Sequence, residues 1–224
     1  MQVPYKGKTN SAVVWALWIV GIVLFVLLGL ETICVKEKHT FIQNLDAFFI
    51  SLIRSHPSPT QSHLWLCIVQ ASTWFAQSKL TISLALLIAL YWVFLKRYAL
   101  GIWFFSTVLI GEIALKIFKN VMQRARPSTN GILAFAHGFS YPSGHALAAS
   151  LFYGLLLSLV YFGHLNKSVK GVVCSFLLLW ILFMMYDRVY LGVHYPTDVL
   201  GGFLMGIAWV SCSMGFYLGY LKRH

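Results

Sequence analysis

Along this chain apolar residues gather into long runs with few interruptions, each close to the ~17–25 residues that a helix needs to cross a bilayer. The runs fall at roughly 12–34, 79–95, 98–118, 144–162, 171–187 and 197–220. They predict an all-α integral membrane fold of six transmembrane helices, built as a single multi-pass domain over residues 1–224. The first run, from Ser11 to Leu30, has no small-residue cleavage site and is followed by Glu31, which marks it as a retained helix rather than a signal peptide. Between the first two runs the pattern changes. Phe41, Leu45, Phe48, Phe49, Leu52 and Ile53 recur at helical spacing opposite Gln43, Asn44 and Asp46, as in an amphipathic helix lying on a membrane surface. Beyond Pro57 and Pro59, the stretch "HLWLCIVQASTWFAQ" is too short to cross alone. It reads either as interfacial or as the start of the second span.

Composition agrees: 59% of the residues are hydrophobic and only 10% charged, outside the range of soluble domains. Cys34, Cys67, Cys174 and Cys212 lie in or beside apolar segments with no CxxC pair, so they read as small hydrophobes rather than a disulfide framework or zinc site. The formal charge of +11 points to anionic partners, which in a membrane protein are lipid headgroups. Nucleic acid is excluded as a partner, because too few basic residues cluster on any soluble surface. Placing the N-terminus in the cytoplasm puts a basic pair in each of four cytoplasmic segments: Lys6 and Lys8, Lys96 and Arg97, Lys167 and Lys170, Lys222 and Arg223. Both termini are then cytoplasmic, the amphipathic helix is extra-cytoplasmic, and three polar stretches share the outer face. The compact size fits a bacterial cell membrane.

Those stretches carry the chemistry. In "KNVMQRARP", Lys119 and Arg126 follow an apolar helix that Pro127 stops. Arg offers a planar fork and Lys a point charge, a pairing suited to an oxyanion. A snorkelling cluster that binds headgroups accounts for the same residues, and Arg124 is left with that role. In "YPSGH", a helix start supplies free N–H groups and a positive dipole end, with Ser143 as hydroxyl donor and His145 as possible proton donor. An ordinary serine cap beside an incidental histidine is the plain alternative. In "RVYLGVHYPTD", Arg188 is followed by His194 and then Asp198. The carboxylate four residues on can fix the imidazole tautomer and leave the other ring nitrogen nucleophilic. Residue frequencies give roughly 0.003 such Arg, His, Asp patterns by chance in a chain of this length, so a structural histidine with a capping aspartate is the less economical account.

Together, "KNVMQRARP", "PSGH" and "RVYLGVHYPTD" resemble the three-part signature of the type 2 phosphatidic acid phosphatase family, the lipid phosphate phosphatases. The resemblance runs from Lys119 to Asp198, and the six runs around it resemble the membrane branch, which includes bacterial phosphatidylglycerophosphatase B and undecaprenyl diphosphate phosphatase. It implies that Lys119, Arg126 and Arg188 hold phosphate oxygens while Ser143 and the Gly144 N–H complete the cradle. His194 attacks phosphorus to form a phosphohistidine, Asp198 orients it, and His145 protonates the leaving oxygen. No metal or other cofactor is implied.

One departure is Asp187, where the family usually has serine before the arginine. A carboxylate there would repel phosphate unless it turned toward Arg188, so Asp187 is expected to support the site without touching substrate. Upstream, Glu112 and Lys116 have the i, i+4 spacing of a helical ion pair that could align Lys119. The expected activity is metal-independent hydrolysis of a lipid phosphate or diphosphate, with phosphatidylglycerophosphate, phosphatidic acid and undecaprenyl diphosphate as the substrate classes. The alternative is a non-catalytic binder or transporter of lipid phosphates, which would need the cradle but not both histidines.

Overall fold

A computed structural model describes residues 10–54, 63–127 and 133–221. Lys6, Lys8, Pro57, Pro59, Ser128, Lys222 and Arg223 lie outside the described residues. All elements among the described residues are helical: α1 (Ser11–Lys36), α2 (Thr40–Arg54), α3 (His63–Ser72), a 3-10 turn (Thr73–Ala76), α4 (Ser78–Phe94), α5 (Tyr98–Met122), α6 (Gly144–Tyr161), α7 (Lys167–Tyr190) and α8 (Pro196–Gly219).

Five of these, α1 and α5 to α8, are long and apolar enough to cross a membrane. α3 with its 3-10 extension meets α4 at an angle of 53°, the geometry of a broken span or a re-entrant loop. The stretch left open between interface and span is therefore one arm of a bent helix pair. Gln77 is extended, with ψ of 131°, which interrupts the backbone ladder. Part of that interruption is repaired from another helix, where the Tyr153 hydroxyl donates to the Phe75 carbonyl at 2.8 Å.

α6 is the centre of the bundle, with every residue from Ala146 to Leu155 buried. α5, α7 and α8 pack around it, and α1 lies along α8. The outer faces of α1 and α7 carry exposed Ile19, Ile22, Val26, Val172, Phe176 and Leu179, as lipid-facing helices should. Lipid gives apolar faces no reason to associate, so helices in a bilayer approach closely where side chains are small. Gly202 and Gly206, four apart on α8, supply that contact with α6. A Cβ on Gly202 would overlap the Ser143 carbonyl oxygen, and one on Gly206 the Ser150 hydroxyl. The tightest helix contact thus lies directly beneath the segments that carry the second and third motifs.

α2 is helical with an exposed apolar side, Phe41, Phe48, Phe49 and Leu52, but its polar side is not uniformly solvated. Asp46 is only 4% exposed and points into the protein. The expectation that Asp46 sits on a solvated face is corrected here: α8 and the segment after α5 offer it partners that water would otherwise supply.

Candidate active site

The end of α5, the start of α6, the end of α7 and the start of α8 converge, and each motif reaches the same place because it sits at a helix terminus. Gln123, at φ +48°, turns the chain out of α5 and delivers Arg124 to Asp198 and Arg126 to His194. Gly192, at φ +72°, turns it out of α7 so that His194 folds back toward the bundle.

His194 is 3% exposed. Its Nδ1 lies 3.4 Å from the Asp198 carboxylate and 3.3 Å from the Ser140 hydroxyl. Its Nε2 lies 3.1 Å from Arg126 Nη1. An arginine can only donate, so Nε2 is the accepting nitrogen and the ring proton sits on Nδ1, facing the carboxylate. Burial holds the His194 imidazole down to about 4; the Asp198 hydrogen bond and charge oppose this and the Arg126 and Lys119 charges add to it. The ring is therefore neutral at physiological pH, with its lone pair on Nε2.

Of the three expected cations, Arg126 touches this nitrogen, Lys119 lines the same cavity as His194, and Arg188 lies within electrostatic reach of Arg126 and His145. Arg126 is braced on backbone carbonyls, its Nη1 donating to Val193 at 2.7 Å, Nη2 to His137 at 2.9 Å and Nε to Gly138 at 3.0 Å. Lys119 Nζ donates to the Phe139 carbonyl at 2.8 Å. Arg188, 4% exposed, uses Nε on the Asp187 carboxylate. Its Nη2 is buried with no hydrogen-bond partner among the described residues. An orphan guanidinium donor is costly unless something fills it, and an anionic oxygen is the group that suits it. His145 lies within electrostatic reach of Arg188, His194, Arg126 and Lys119 together.

Ser143 caps α6, its hydroxyl oxygen accepting from the Ala146 N–H at 3.5 Å while its own N–H donates to the Asp198 carbonyl at 2.7 Å. Its hydroxyl hydrogen remains available, and the Gly144 N–H, first in α6, belongs to the donors that a helix start leaves without an intrahelical acceptor. A cavity of about 420 Å³ runs past these groups, lined by Lys119, Arg126, His137, Gly144, His145 and His194, and continues down between α4 and α5.

Asp187 is fully buried, and besides Arg188 it takes a hydrogen bond from the Ser72 hydroxyl of α3 at 3.1 Å. The Glu112 to Lys116 ion pair does not form. Glu112 instead lies beside the same cavity as Ser78, at the start of α4, and Lys116 stays exposed.

What local spacing missed is a second layer around Asp198. Arg124, taken from sequence as a headgroup contact, reaches inward: Nη1 donates to Asp198 Oδ1 at 2.6 Å and to Thr197 Oγ1 at 2.8 Å, and Nη2 to Asp46 Oδ2 at 2.7 Å. Its guanidinium lies 4.2 Å over the Tyr195 ring. Burial pulls the Arg124 cation downward, but the Asp198 and Asp46 carboxylates outweigh it and hold it above its ordinary value. Asp46 also accepts from the Thr197 N–H at 2.9 Å, fastening α2 to the first turn of α8. Ser140 donates to Asp198 Oδ2, which also accepts from the Tyr195 N–H at 2.9 Å. The only sequence signal for this layer was two charged residues, Asp46 and Arg124, with no local partner.

The fold and this arrangement define a multi-span helical membrane protein with a buried cationic pocket around a histidine. Residues 100–220 match the PAP2 superfamily, just over half of the chain, and the chain belongs to that superfamily. It is 34% identical over 105 residues to phosphatidylglycerophosphatase B of Bacillus subtilis, a match covering 45% of this chain and 50% of that protein. It is 31% identical over 134 residues to undecaprenyl-diphosphatase of Sulfolobus acidocaldarius, covering 55% and 57%. The chain thus matches little more than half the length of these relatives. The crystal structure of a transmembrane PAP2-type phosphatidylglycerolphosphate phosphatase from Bacillus subtilis has the same fold, with a TM-score of 0.77 at 21% identity over 89% of this chain and 96% of that one.

Proposed function

We propose that this protein is an integral membrane phosphatase that removes the terminal phosphate of a lipid phosphate or lipid diphosphate through a phosphohistidine. The observation that carries the reading is the meeting of a neutral His194, with its lone pair on Nε2, and three cations, one of which has an orphan buried donor. Superfamily membership supports it, as do relatives named for phosphatidylglycerophosphate and undecaprenyl diphosphate.

In this mechanism a phosphate oxygen displaces Arg126 from His194 and takes its Nη1, while Arg188 Nη2, Lys119 Nζ, the Ser143 hydroxyl and the Gly144 N–H hold the other oxygens. His194 Nε2 attacks phosphorus as the bond to the lipid oxygen breaks, and His145, which takes up a proton from water once the phosphate charge offsets the surrounding cations, gives that oxygen its proton. Asp198 stabilises the ring as positive charge builds, and Arg124 with Asp46 fixes the carboxylate. A water, deprotonated by His145, then attacks the phosphohistidine and releases inorganic phosphate and free His194. Asp187 turns Arg188 toward the phosphate and does not touch it. No step passes through a metal.

The reading places the site on the extra-cytoplasmic face with both termini in the cytoplasm, where a lipid headgroup meets it while the tail stays in the bilayer. Substrate and site then share one interface, which aids orientation.

The test is phosphate release by the detergent-purified protein from phosphatidylglycerophosphate, phosphatidic acid and undecaprenyl diphosphate in excess chelator, with His194→Ala alongside. Release that survives chelation and is lost in the variant is expected. Tight lipid-phosphate binding by both proteins with no release would make the protein a binder or carrier and overturn the reading.

A further inference from the structure

The cavity does not end at the phosphate site. Below Lys119 it continues past Lys116, Glu112, Ile113, Leu109, Ser78 and Ile82. Glu112 lies seven residues before Lys119, so on a helix rising ~1.5 Å per residue its backbone sits roughly 10 Å deeper along α5. A glutamate at that depth is costly and calls for a reason. It is 8% exposed, it shares the cavity wall with Ser78, and its Oε1 is buried with no hydrogen-bond partner among the described residues. Nothing in the mechanism above uses it.

We propose that Glu112 and Ser78 form a second polar subsite that binds a hydroxyl group on the leaving lipid and so selects the substrate. This rests on the phosphatase reading of the same cavity. A free carboxylate oxygen needs a donor. An ammonium group is disfavoured because Lys116 and Lys119 line the same space. A hydroxyl fits both sides: it donates to Oε1 and accepts from a lysine ammonium. The apolar Ile82, Leu109 and Ile113 around it suit the start of a hydrocarbon tail. The favoured class is therefore a monophosphate ester of a polyol lipid that keeps a free hydroxyl near the ester. Diacyl phosphatidate and a prenyl diphosphate offer no such donor and leave Oε1 unfilled.

The experiment compares phosphate release by the full-length detergent-purified protein from monoacylglycerol phosphate and from its deoxy analogue, monoacyl propanediol phosphate. The native protein should favour the hydroxylated lipid in kcat/KM by about tenfold or more, the scale of one hydrogen bond to a charged group. Glu112→Leu should bring the ratio close to one, and Glu112→Gln, which keeps a neutral acceptor, should lower it partway. The ratio is taken within each protein, so a loss of folded material cancels. A native ratio near one overturns the inference while leaving the phosphatase reading intact, and so does a native ratio preserved in both variants or, if Glu112→Leu does not fold, in Glu112→Gln alone. Release from neither lipid, nor from the lipids of the first test, removes the phosphatase reading and this one with it.

Discussion

The two ends of α8 are held by different physics. At its start, Thr197 and Asp198 are fully buried polar residues whose side chains are hydrogen-bonded to α2, to the segment after α5 and to the loop before α6. Gly202 and Gly206 bring that end against α6. At the other end, Trp209, Cys212, Ser213 and Phe216 face α1 and α5 across an apolar cleft of about 670 Å³, with Trp103 stacked on Tyr217 at 4.4 Å. The first end is specified by a dense set of directional bonds that admit few alternatives; the other has only the Thr107 and Trp103 bonds to Ser213 and is otherwise lined by aromatic bulk that tolerates a gap. On the phosphatase reading, chemistry belongs at the first end, because a nucleophile must be held to a fraction of an ångström.

Substitutions can break that contrast. The largest effect is expected from Gly202→Ala: its methyl group must push α8 off the Ser143 carbonyl, separating the second motif from the third. Phosphate release should fall by a hundredfold or more, about 3 kcal/mol in barrier terms, with a lower melting temperature. Next, Arg124→Gln leaves the Asp46 and Asp198 carboxylates without their shared cation. It should lower kcat by about ten- to a hundredfold with a smaller change in KM, and Arg124→Lys should recover part of the loss.

Acid stability is a milder probe. The folded His194 lies near 4, below the ~6.5 of an unfolded histidine, so the unfolded chain binds more protons between those values. Its contribution to stability is complete above pH 6.5 and is lost as pH falls through 4. Melting temperature should therefore decline more steeply over that window in the native protein than in His194→Asn, by an amount on the order of 1–3 kcal/mol at most. An equal decline in both would show that His194 is not held neutral by burial. The smallest effect is expected at the tolerant end: Phe216→Leu, in the cleft, should alter stability by under about 1 kcal/mol and leave phosphate release within about twofold. A large loss there would erase the distinction between the two ends.

The same contrast explains what could be read from sequence. Helix number and type were legible because hydrophobic run length is a local property, and the three motifs were legible because each sits within one short stretch. Arg124 was not. Its carboxylate partners lie 78 and 74 residues away, so no spacing rule could distinguish it from a basic residue at the lipid surface. Asp46 failed for the same reason, since helical periodicity assigns it a face but not what that face meets. Glu112 and Lys116 failed in the opposite sense: the i, i+4 rule offered a local partner, but Glu112 is buried in the bundle while Lys116 stays exposed. The break at Gln77 falls where the short stretch ends and the second run begins; the sequence leaves open whether the two join, because the Tyr153 bond that repairs the neighbouring carbonyl comes from a distant residue.

Asp198 is at once the partner of His194 and a carboxylate that reaches back to the Tyr195 N–H at the start of the last helix. Since a chain enters the membrane from its N-terminus, the cations of α5 and the loop before α6 are in place while α8 is still being made. Their final geometry still waits for the last helix, because Arg126 is braced on the Val193 carbonyl and the Ser143 N–H on the Asp198 carbonyl. On the phosphatase reading, assembly order would work as a safety catch: a nascent chain without its final span would lack the carboxylate that orients His194, and hydrolysis would begin only once the last helix has docked.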